Sequence, residues 1–132
     1  MKTIKSTFLL VLAFISSYAF SSYAISATTP YEIIQSFVEK VKSGDSEAQF
    51  ELGMLYADGQ GVKQSYTEAF KWFRKSADQG NINALHVIGL AYKNGIGVQQ
   101  SYSKAKECFG LACDKGNDLS CDWYAKLNKN EY

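Results

Sequence analysis

The stretch CFGLACDKGNDLSC, residues 108–121, holds all three cysteines of this 132-residue chain. Thiols at such spacing suit metal ligation, dithiol redox exchange or a structural disulfide. An odd number rules out complete pairing within one chain, so at least one thiol is free, metal-bound or joined to another molecule. Zinc fits poorly, because there is no C-x2-C pair and the single histidine, His86, lies well upstream. No metal site is expected. SYSK at 101–104 has the form S-x-x-K, and KSG at 42–44 mimics the K-T-G element of penicillin-recognising enzymes. Their order is reversed for that class, no S-x-N element lies between them, and Ser101 is placed to cap a helix. The glycine pairs in DGQG and NGIG lack a following lysine at phosphate-loop spacing and read as turns. His86 has no assigned nucleophile or orienting carboxylate, which makes it a surface or groove histidine. No catalytic residue and no cofactor is expected.

The elements that position these residues begin after an N-terminal segment of different character. MKTIKSTFLLVLAFISSYAFSSYA carries Lys2 and Lys5, an unbroken apolar run from Phe8 to Ile15, and then small residues. This is the pattern of a secretory signal peptide, with Ser22 and Ala24 favouring cleavage after Ala24 and Ala27 the second choice. The apolar run is shorter than the roughly 18 residues a membrane span requires, so no membrane insertion is expected after cleavage. Export to the periplasm or beyond permits disulfides. Loss of the two lysines takes the formal charge from +1 to about −1. With no basic run, nucleic acid is not an expected partner.

The remaining chain, residues 25–132, repeats itself. A shift of 36 positions aligns AQFELGMLYADGQGVKQSYTEAFKWFRKSADQGN with ALHVIGLAYKNGIGVQQSYSKAKECFGLACDKGN. A fixed period in this range signals a solenoid of stacked supersecondary units. Each unit reads as two helices. In the first, Ala48, Leu52, Leu55 and Tyr56 share a face, Asp45 caps the start, and Gly53 lets a neighbour approach closely. Gly59 and Gly61 stop it. In the second, Tyr66, Ala69, Phe70, Phe73 and Ala77 form the apolar stripe, and SYTE opens it as a capping box, Ser65 accepting and Glu68 reaching back. A half repeat at 30–44, started by Thr29 and Pro30, precedes full repeats at 48–83 and 84–119, and a partial repeat at 118–132 follows. The expectation is an all-α, α/α superhelical solenoid of six helices, its hairpins closed at Gly44, Gly80 and Gly116.

The pattern A-x3-L-G-x2-Y-x2-G-x-G-V followed by A-x2-W-F-x3-A-x2-G resembles the Sel1-like repeat family, relatives of the tetratricopeptide repeats. Residues 48–80 match it almost position by position, and 84–116 match with changes, among them Cys108 at the place of Trp72. The resemblance implies a superhelix acting as an adaptor surface for other proteins. Cys113 and Cys121 also look like the C-x7-C pairs of the secreted cysteine-rich members, which bridge adjacent helices. Their placement agrees, four residues either side of Asn117 at a hairpin hinge. Cys108 and Cys113 instead lie about 140° apart around one helix and should not meet. Cys108 is left as a free, buried thiol.

Phe50 and Met54, His86 and Leu90, and Asp122 and Lys126 take the same two positions in successive first helices. In such solenoids these helices line the concave face, so the six form a candidate binding ladder for a protein or peptide. The expected function is that of a non-catalytic, monomeric exported adaptor or envelope or host-interaction factor. The resemblance also leaves room for a weak β-lactam-binding or hydrolysing protein, or a periplasmic immunity protein against a secreted toxin.

Overall fold

The computed structural model describes residues 30–131. The expected signal peptide and the Thr29 cap lie outside them. Among the described residues six helices follow one another: α1 (Pro30–Lys42), α2 (Ser46–Asp58), α3 (Tyr66–Asp78), α4 (Ile82–Asn94), α5 (Tyr102–Asp114) and α6 (Asp118–Asn128). Each packs chiefly on its neighbours in sequence, the pattern of an α/α solenoid. No strand occurs among the described residues.

Local chemistry sets the boundaries. The Asp45 carboxylate accepts from the Glu47 and Ala48 amides, and the Asn81 and Asn117 side chains accept from Ala84 N and Ser120 N. Ser65 and Ser101 cap α3 and α5 by accepting from Glu68 N and Lys104 N. The reciprocal half of the expected capping box is not made. The Ser65 amide donates instead to Tyr56 O at 2.9 Å, and Glu68 pairs with Lys71 at 2.6 Å. Ser101 N repeats this contact with Tyr92 O at 2.8 Å. The donor that Glu68 would satisfy is already taken by the end of the preceding helix, which ties each turn to its own repeat. Gln64 and Gln100 reinforce that tie, their side-chain amides donating to Ala57 O and Lys93 O at 2.7 and 2.8 Å.

The core follows from close approach within each repeat. A Cβ built on Gly53 would lie 2.6 Å from the Phe73 ring, and one on Gly89 would lie 2.6 Å from the Phe109 ring. Only hydrogen at these positions lets the second helix seat its aromatic ring against the first. Phe73, Phe109, Leu52 and Ile88 are buried there with Tyr92. Between repeats, Gly97 lies against the start of α3, where a Cβ would meet Tyr66 O at 2.2 Å. The fully buried Ser76 donates to Ser46 O at 2.6 Å, so its hydroxyl carries no unpaired cost.

Candidate functional site

The α5–α6 hairpin brings Cys113 and Cys121 to a Cα separation of 4.7 Å, and the two are joined as a disulfide. Cys108 is free and half-buried. It shares a pocket of about 280 Å³ with Arg74, Tyr92, Lys104 and Glu107. Burial pushes its thiol above the ordinary range; the Arg74 guanidinium opposes that shift and Glu107 adds to it. A thiol held protonated in this way is a poor nucleophile. Among the described residues no three His, Cys, Asp or Glu side chains gather as metal ligands do. Ser101 Oγ is committed to the Lys104 amide, while the Lys104 ammonium sits 5.3 Å from the centroid of the Tyr92 ring. The S-x-x-K match is a helix start.

His86 has a partner that sequence spacing did not reveal. Its Nδ1 lies 2.7 Å from Ser120 Oγ, and its ring centroid is 5.7 Å from that of Phe109. A serine hydroxyl against an imidazole is the first requirement of a nucleophile and its base. Ser120, however, is fully buried, and neither residue borders the apolar groove described next. The pair holds α4 to α6. Burial lowers the imidazole pKa, favouring the neutral ring.

The six ladder residues divide. Met54 and Leu90 line one apolar groove of about 170 Å³ between α2, α3 and α4, together with Ala57, Phe70, Val87 and Ile96. Phe50 turns inward, its ring 5.5 Å from Phe73, and His86 turns toward Ser120. Asp122 and Lys126 are exposed on α6, the Lys126 ammonium 4.8 Å from the centroid of the Trp123 ring. Helical spacing gives the direction in which a side chain leaves its helix, not what stands opposite, and the inward pull of Phe73 and Ser120 splits the ladder.

Two consecutive matches to the Sel1 repeat family model cover residues 46–81 and 82–117, more than half of the chain. The chain belongs to the Sel1 repeat family. Within the family it is 50% identical over 38 residues to a Sel1-like repeat-containing protein of Acanthamoeba polyphaga mimivirus, a stretch covering 29% of this chain and 6% of the viral one. A Sel1 repeat protein from Oxalobacter formigenes superposes with a TM-score of 0.64 at 32% identity, over 66% of this chain and 36% of that one. A protective antigen of uropathogenic Escherichia coli strains, displaying the same fold, gives 0.65 at 36% identity over 67% and 19%. Cysteine-rich protein B of Helicobacter pylori shares the fold, with a TM-score of 0.65 at 21% identity over 67% of both chains. This chain thus spans only a small or moderate part of the first three relatives.

The Sel1 period explains why the groove is open. Thirty-six residues after Ala57, Val87 and Leu90 stand Lys93, Trp123 and Lys126. At the second inter-repeat junction the Trp123 indole fills the space, stacking on Phe109 at 6.1 Å between centroids and 20° between planes. At the first, the corresponding side chain is only Val87, and a cleft remains. Spacing alone missed Val87, Phe70 and Ile96 as groove residues, although the valine-for-tryptophan difference is visible once the second Sel1 repeat is aligned with the partial repeat that follows it.

Proposed function

We propose that this protein is an exported, non-catalytic Sel1 repeat module that binds a protein or peptide through the groove between α2, α3 and α4. Sel1 repeats are generally protein-interaction scaffolds. The observation that carries the reading is the apolar cleft of about 170 Å³, left open where Val87 replaces the groove-filling tryptophan. Its lining holds no Cys, His, Ser, Lys, Asp or Glu, and its one hydroxyl, Tyr66, accepts from the Gln64 side-chain amide, which leaves a surface suited to an apolar side chain of a partner. Of the side chains elsewhere, Ser120 is committed to His86, Ser101 to a helix cap and Cys113 to Cys121, while Cys108 is free with burial holding its thiol toward the protonated form. Export is supported by the N-terminal apolar segment and by the disulfide, which persists in an oxidising compartment.

The test is Val87→Trp, which places in the first junction the residue that already fits the second. Capture from a periplasmic extract with the wild-type chain should recover a partner that the variant, folded to the same circular-dichroism spectrum, does not. A partner retained by Val87→Trp overturns the groove as binding surface.

A further inference from the structure

The groove has a basic neighbour. Leu90 lines it and, one repeat on, also occupies the register that Met54 holds in the first. Lys93 follows Leu90 by one turn on α4, and Lys126 is the counterpart of Leu90 on α6. Both lysines lean on the same indole: the Lys93 and Lys126 ammoniums lie 4.4 and 4.8 Å from the centroid of the Trp123 ring. Among the described residues neither pairs with a carboxylate, and Lys93 Nζ donates to Asn94 Oδ1 at 3.2 Å. Among the described residues the ion pairs are Lys42 with Glu39, Lys71 with Glu68, and Arg74 with Asp78. Asp122, one turn before Lys126, is exposed and makes no bond to it.

We infer that the ligand is an extended peptide segment carrying one apolar and one acidic anchor. The apolar side chain enters between Met54 and Leu90, and the carboxylate meets the ammoniums of Lys93 and Lys126. This rests on the groove being the binding surface and specifies the chemistry of what it takes. Both ammoniums lie close to one ring, 4.4 and 4.8 Å from its centroid, and a carboxylate arriving there is attracted by both. The indole holds the ammoniums in place by cation–π attraction, so less side-chain freedom is lost on binding. A basic segment would meet like charge at this point and be rejected. Packed helices lie about 8–10 Å apart and an extended chain advances roughly 3.3 Å per residue, which separates the two anchors by about three residues.

Fluorescein-labelled glycine–serine peptides test this against the disulfide-intact mature chain by anisotropy. One carries leucine with aspartate three residues on; the others replace aspartate by asparagine, leucine by alanine, or both. The leucine–aspartate peptide is expected to bind most tightly. Its affinity should fall about threefold with either Lys93→Gln or Lys126→Gln and fall again at raised salt, as exposed charge pairs do. Val87→Trp should abolish it. If the asparagine peptide binds equally well and Val87→Trp still abolishes binding, the acidic anchor is wrong while the groove stands. If binding survives both Val87→Trp and loss of leucine, the groove reading falls as well. No preference for the leucine–aspartate peptide over the one lacking both anchors overturns the inference.

Discussion

The His86–Ser120 hydrogen bond invites a double-mutant cycle, because the chain contains its own control. Thirty-six residues earlier the same two positions are Phe50 and Ala84, an apolar pair in the same fold. Ser120→Ala leaves the half-buried His86 Nδ1 without its partner at 2.7 Å. That ring retains some access to water, so the cost should be about 1 kcal/mol. His86→Phe strands the hydroxyl of a residue that is 0% exposed, at about 1–3 kcal/mol. The double variant replaces both polar groups by the pair already used one repeat upstream. It should cost less than the two singles together by about 1–2 kcal/mol, above the roughly 0.5 kcal/mol within which independent sites add. Thermal unfolding at pH 7.5 reads each step, at about 4–8 °C per kcal/mol for a domain of this size. A second signature comes from pH. Burial lowers the His86 pKa in the folded state, so below the ordinary imidazole value near 6.5 the unfolded chain binds more protons. Acidification then favours unfolding, and the stability is fully present only above that value. His86 is the single histidine, so the stability difference between wild type and His86→Phe should shrink from pH 7.5 to 5.5. Strict additivity of the two substitutions, with no change in that difference, would refute the coupled pair.

Three further outcomes are expected. Gly89→Ala places a Cβ 2.6 Å from the Phe109 ring, which is 0% exposed and has little room to shift; urea unfolding should show a loss of about 1–3 kcal/mol, against no more than a few tenths if the ring can step aside. Peptide mapping without reduction should find Cys113 joined to Cys121 and Cys108 free, and replacing the pair by serine should cost about 2–3 kcal/mol for so short a loop; a peptide linked through Cys108 contradicts the assignment. Gln100→Ala removes the 2.8 Å bond to Lys93 O and should lower stability by about 0.5–1.5 kcal/mol, measured by the shift in melting temperature.

The sequence by itself determined the period, the helices and their ends. Caps at Asp45, Ser65, Asn81, Ser101 and Asn117 act on amides two or three residues away, and the glycines closing the hairpins at 44, 80 and 116 take positive φ angles of 86°, 86° and 96°. Such effects are local and repeat with the chain. The close approach at Gly53 and Gly89 was legible for the same reason, since a recurring glycine inside a helix has few other uses. Tertiary structure decided the rest. Whether Glu68 completes a capping box depended on the Tyr56 carbonyl reaching the Ser65 amide first. His86 found its partner 34 residues away on α6, a contact no helical period encodes. The groove exists because two junctions with the same backbone receive different side chains, Val87 in one and Trp123 in the other. Only packing both against their neighbours distinguishes a cleft from a filled interior.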